Sequence, residues 1–152
     1  MAKVIKLKND MYLDSSSVNK SAIMVALSQN TTITSTEGWT WLKIPFDTVI
    51  SKIGNDFSLV NGMVVCNKDN VRAKVTLHVY VISAPSPVYP SISMGDYYGR
   101  YQEYAATGVV NAVEIGNLHK NWNARGFIRP SFVGDAVIKG YDLYTYMLVE
   151  EI

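Results

Sequence analysis

The sequence predicts an all-β protein, a sandwich or jelly roll, and three observations carry that prediction. From Val71 to Val81 apolar and polar residues alternate without a break. This is the period of a strand that shows one face to a core and the other away from it. An Asn-Gly pair at Asn61 and Gly62 marks a tight hairpin just upstream. Beyond residue 38, short runs rich in Val, Ile, Thr and Tyr recur between turn residues, at the spacing of a sandwich.

Taken in order, the chain divides into an N-terminal arm, residues 1–37, and a head, residues 38–152. In the arm, "KVIKLKND" and "MYLD" alternate briefly. "SSSVNKSAIMVALSQN" then predicts a short helix through Ala22 to Leu27, with a Ser or Asp as its cap. "TTITSTEG" reads as polar linker or extended edge. In the head, "WTWLKIPF" predicts a strand closed by Pro45, with Trp39 and Trp41 packed on one face of it. "DTVISKIGND" reads as a connection. "FSLV" and "MVVC" flank the Asn-Gly turn, and "KDN" turns the chain into the long strand at Val71. Pro85, Pro87 and Pro90 make "SAPSPVYPS" an exposed crossover loop, because proline cannot donate to a ladder. "YYGRYQEYAA", "VVNAVEI", "ARGFIRPSFV", "DAVIKG" and "DLYTYMLVEEI" supply further strands.

Composition excludes several classes. Fourteen Lys and Arg balance thirteen Asp and Glu, so no net field draws the chain to nucleic acid or anionic lipid. No apolar run has the length of a signal peptide or a membrane span, which predicts a soluble protein made without a secretion signal. The single cysteine, Cys66, lies in the apolar run "MVVCN", where a buried and inert thiol is expected. Charged residues make up only 18% of the chain and there are ten tyrosines, which suits sheet surfaces that meet protein or sugar.

The stretch "WLKIPFDTVISKIGNDFSLVNGMVVCNKDNVRAKVTLHVYV" resembles the globular head of the complement first component and the wider tumour-necrosis-factor-like jelly rolls. Pro45, Phe46 and Val49 match the family's Pro-Phe-x-x-Val element. Gly54, Asn55 and Phe57 match its Gly-Asn-x-Phe segment, and the Asn61-Gly62 turn, Lys68, Asp69 and the strand from Val71 follow in the family's order. Asn70 stands where glycine is usual, a substitution that the left-handed conformation tolerates. "KVIKLKNDMYLDSSSV" is similar to the N-terminal motif of phage virion proteins that end in such heads. The resemblance implies a homotrimer in a virion, assembled in the host cytoplasm. It also implies an arm that docks on other virion proteins or trimerises, and a head that touches a host-surface glycan or protein.

Candidate sites follow from residue chemistry. His78, Tyr80, Tyr144 and Tyr146 are candidates for a trimer interface, since tyrosine offers a rigid apolar body with a polar tip. Tyr97, Tyr98, Arg100 and Tyr101, and separately Trp122 and Arg125 among Asn121 and Asn123, are candidates for ligand binding. Flat rings beside amides and guanidinium suit a sugar's face and hydroxyls. His78 and His119 lack the spacing of a zinc motif, and no phosphate-binding loop or nucleophile elbow occurs, so no catalytic residue, metal or cofactor is assigned. Asp96, Glu103, Glu114 and Asp135 are available for carboxylate-pair glycoside hydrolysis, but the sequence selects no pair. The alternatives to a virion protein are therefore a stand-alone carbohydrate-binding module and, behind it, a polysaccharide hydrolase.

Overall fold

The alternating run becomes the longest strand of the computed structural model, β9 (Val71–Ser83), and the larger sheet grows from both its edges. The structure describes residues 4–6, 12–14, 20–99, 103–141 and 143–152. Before β9 come β1 (Val4–Lys6), β2 (Tyr12–Asp14), β3 (Ala22–Ala26), β4 (Thr31–Ser35), β5 (Leu42–Lys43), β6 (Thr48–Ile53), β7 (Phe57–Val60) and β8 (Met63–Cys66). After it come β10 (Val88–Met94), β11 (Tyr97–Tyr98), β12 (Gly108–Leu118), β13 (Asn123–Pro130), β14 (Gly134–Ile138) and β15 (Tyr146–Glu151).

On one edge of β9, β12 pairs antiparallel along the whole run, from Val71 opposite Leu118 to Val81 opposite Gly108. On the other edge lie β15, with Tyr146 opposite His78, and then β14, with Ile138 opposite Val81. This seven-stranded sheet runs β4-β14-β9-β15-β3-β6, with β12 beside β9. The second sheet has six strands in the order β11-β10-β13-β8-β7, with β5 beside β13. β1 and β2 form a separate two-stranded pair. The inward residues of β9 (Val71, Ala73, Val75, Leu77, Val79 and Val81) are at most 1% exposed. They close a core with Phe46, Phe57, Val64, Ile92, Ile128 and Met147. Burying these side chains is the main favourable term in the fold, each contributing roughly 1.5–3 kcal/mol.

The two turns around the resemblance form as its residues require. Asn61 and Gly62 both have positive φ (50° and 78°), as a tight hairpin that follows the strand twist needs, and β7 and β8 pair on either side. Asn70, at φ 57°, holds the left-handed position that glycine would otherwise take.

Several expectations are corrected. The helix through Ala22 to Leu27 is the strand β3, hydrogen-bonded to β15 on one side and β6 on the other. Every residue of β3 is buried, so both faces are apolar and the period-2 signal disappears. Among the described residues there is no helix. The arm does not extend to residue 37, since β3 and β4 are members of the seven-stranded sheet. "DTVISKIGND" contains a strand, β6, paired with β3.

Pro90 lies inside β10 rather than in a loop. On β10 the N–H of Val88 donates to Ala105 and the C=O of Ile92 accepts from Gly99, so these alternate residues face away from β13. Pro90 shares their side, and its missing N–H removes no bond to β13. The "WTWLKIPF" strand shrinks to Leu42–Lys43. Trp39 sits instead in a turn at φ 66°, held by its N–H to the Pro130 carbonyl at 2.7 Å.

Candidate functional site

Aromatic side chains gather in two places that bear on function. The first is the outward face of the seven-stranded sheet. Because Tyr146 pairs with His78, the two side chains share a face, and their rings stack with centroids 5.0 Å apart and planes 11° apart. Tyr80 and Tyr144 meet edge to face at 5.9 Å. His78 Nδ1 lies 3.0 Å from the Tyr144 carbonyl oxygen, which ties β9 to the segment entering β15. The Lys139 ammonium sits 3.8 Å from the Tyr144 ring centroid and 5.3 Å from that of Tyr80, a cation–π arrangement. All four residues expected at an interface are thus brought together. Tyr144 is 44% exposed, and on the same sheet face Val109 and Ile115 are 41% and 48% exposed. Burial raises the pKa of the Tyr146 hydroxyl above the usual phenol value.

The second place is the mouth of the sandwich beside the β12–β13 turn. Asn121 takes φ 71°, and its N–H donates to the Cys66 carbonyl at 2.8 Å. The Cys66 N–H donates in turn to the Trp122 carbonyl at 2.8 Å, and the Trp122 N–H to the His119 carbonyl at 3.0 Å. Those bonds fix the turn on β8. The Trp122 ring lies directly over Gly95, whose φ is 62° and where any side chain would run into the indole. His119 meets Trp122 edge-on at 4.5 Å.

A cleft of about 600 Å³ opens beside the ring, with Met94 and Ile115 as apolar walls and Asp96, Glu114 and Asn117 as polar groups. A second lobe of about 310 Å³, which shares Asp96 and Trp122 with the first, is lined also by Asn121, Asn123 and Arg125. Asn123 Oδ1 is buried and finds no donor among the described residues. Arg125 Nε donates to Ser93 Oγ at 2.9 Å, and its guanidinium lies 5.2 Å from the Phe127 ring.

Trp122 and Arg125, expected to bind ligand, therefore line one lobe. Tyr97 and Tyr98 form β11, next to the Gly95-Asp96 turn, whereas Arg100 and Tyr101 lie outside the described residues. Of the four acids available for a hydrolytic pair, the structure brings Asp96 and Glu114 to one cleft. Glu103 is engaged by Asn111, and Asp135 accepts from the Thr34 hydroxyl. Sequence reasoning missed Lys139, Met94, Ile115 and Asn117, whose positions depend on strand register rather than on any local motif. Cys66 is buried, its thiol donates to the Lys68 carbonyl at 3.0 Å, and burial raises its pKa. Among the described residues no three His, Cys, Asp or Glu side chains gather as a metal site would require.

No family model and no curated protein matches the sequence. Solved structures do match the fold. Murine APRIL at pH 8.0 superposes with a TM-score of 0.66 at 11% identity, covering 88% of this chain and 99% of that one. The phage PRD1 vertex protein P5 superposes with a TM-score of 0.60 at 6% identity, covering 88% and 96%. At such identities the likeness defines a fold. The chain has an all-β jelly-roll fold of the tumour-necrosis-factor-like kind.

Proposed function

We propose that this chain is a structural protein of a phage virion, a homotrimeric jelly-roll head with no enzymatic role that contacts the host surface. The observation that carries the reading is the outward face of the seven-stranded sheet. There the stacked His78 and Tyr146, the Tyr80–Tyr144 pair and exposed Val109 and Ile115 form one surface rich in rings. Rings of this kind, with exposed aliphatic side chains on the same face, match the core of a protein interface rather than a solvated sheet. A second copy is the fitting cover, because threefold closure repeats one patch without leaving an open end. The fold shared with a vertex protein supports a place in a particle, and the motif near the N-terminus supports docking of residues 1–19 on other virion proteins.

Particles purified through a density gradient should contain the chain, and an antibody against it should decorate them in electron micrographs. A chain confined to the soluble lysate would overturn the reading.

A second reading, a polysaccharide hydrolase, draws on Asp96 and Glu114 lining one cleft beside Trp122. Release of reducing ends from a polysaccharide, lost in both Asp96→Asn and Glu114→Gln, would establish it in place of the first.

A further inference from the structure

We infer that the two-lobed cleft lined by Trp122 is a carbohydrate site, and that it takes uncharged pyranose sugars. The inference deepens the host-contact part of the reading above and relies on it only for biological meaning. Trp122 is 41% exposed, so a broad part of the indole is open to the cleft, and Gly95 leaves no room for the ring to retreat. The C–H face of a pyranose is apolar and flat enough to lie on such a ring. The backbone bonds from Asn121, Trp122 and Cys66 hold the indole in place before anything binds, so little ordering is left to oppose association.

The polar groups then narrow the ligand. Asp96 and Glu114 accept hydrogen bonds, and Asn117, Asn121 and Asn123 can both donate and accept. Charge is distributed against ionic ligands. An acidic sugar or phosphate entering the larger lobe meets two carboxylates. A cation spanning into the smaller lobe meets the guanidinium of Arg125. A ligand rich in hydroxyls and carrying no charge avoids both repulsions and can still hydrogen-bond to the carboxylates and amides that line the lobes, which is how specificity by exclusion operates.

The test is saturation-transfer NMR and calorimetry on the full chain. The probes are uncharged sugars (glucose, galactose and N-acetylglucosamine oligomers), oligogalacturonate as the acid and trilysine as the cation. Saturable binding of at least one uncharged sugar is expected, weakened by at least about tenfold in Trp122→Ala. Should Trp122→Ala misfold, Asp96→Asn keeps the cleft's shape and should weaken the same sugar while leaving circular dichroism unchanged. The inference is overturned if no uncharged sugar binds, if oligogalacturonate or trilysine binds more tightly than every uncharged sugar, or if binding survives both substitutions. Solution mass measured on the same samples separates the two proposals. A trimer without sugar binding removes the cleft assignment alone, and a sugar-binding monomer removes the trimer alone.

Discussion

The outer face of the seven-stranded sheet and the Trp122 cleft are both built from rings, yet the rings are used in opposite ways. On the sheet face, His78 and Tyr146, then Tyr80 and Tyr144, pack against each other, and Lys139 lies across the second pair. Their faces are largely spent on one another. In the cleft, one indole stands over a glycine with only the edge-on His119 as a ring neighbour, and 41% of Trp122 stays exposed. A self-covered surface suits a large partner with a matching sheet. An exposed ring lining a cleft with carboxylates and amides suits a small hydroxylated one. Aromatic content alone would not have separated them; the neighbours of each ring do.

Substitutions can break that contrast. The largest effect is expected from Tyr146→Glu. At an assembled interface each copy would bury an unpaired carboxylate, costing on the order of several kcal/mol. The mass should fall to that of one chain. If assembly persists, Tyr146 does not face a subunit contact. Next comes Leu77→Ala, at a fully buried position where a cavity should cost about 2–5 kcal/mol, read as a lower denaturant midpoint at unchanged slope. A cost well under 1 kcal/mol would mean the two sheets close on each other more readily than this packing allows.

Gly95→Ala sharpens the comparison from the other side. It places a side chain at φ 62° against the Trp122 ring, for a loss of roughly 1–3 kcal/mol. Cleft binding should fall with it while the solution mass stays unchanged. A parallel loss of assembly would show that the two regions are coupled.

The smallest effect concerns Asp47. Burial alone would raise its carboxyl pKa, but hydrogen bonds from the Ser28 hydroxyl and N–H and from the Thr48 hydroxyl outweigh this and lower it. A carboxyl depressed in the folded state stabilises above its unfolded value and loses that contribution as pH falls through the folded one. Asp47→Asn should therefore lower the melting temperature slightly at neutral pH. The difference should disappear in acid below the ordinary aspartate range. An equal difference at both pH values would assign the effect to geometry rather than to charge.

The legible part of the fold was the part that repeats with a clear period. β9 and the Asn61-Gly62 and Asn70 turns could be placed from residue types alone, because one face is apolar or one dihedral demands Asn or Gly. β3 could not, since a strand enclosed by β15 and β6 has no polar face to alternate with. β10 was hidden by a proline whose missing N–H happens to point away from the ladder. At the sites, ring-rich residues were visible as such. Their neighbours were not: Ile115 stands opposite Lys74 and Lys139 lies over Tyr144 only because of the registers of β12 and β14 with β9. The pairing of Asp96 with Glu114 likewise joins a turn after β10 to the middle of β12, two elements that no local pattern links.

The central claim is that a second and third copy cover the outer face of the seven-stranded sheet. Light scattering coupled to size exclusion, run at several concentrations, tests it most directly. The account predicts a mass of about 51 kDa, three times the 16.9 kDa of one chain, held on dilution. A mass of 16.9 kDa at every concentration would contradict it.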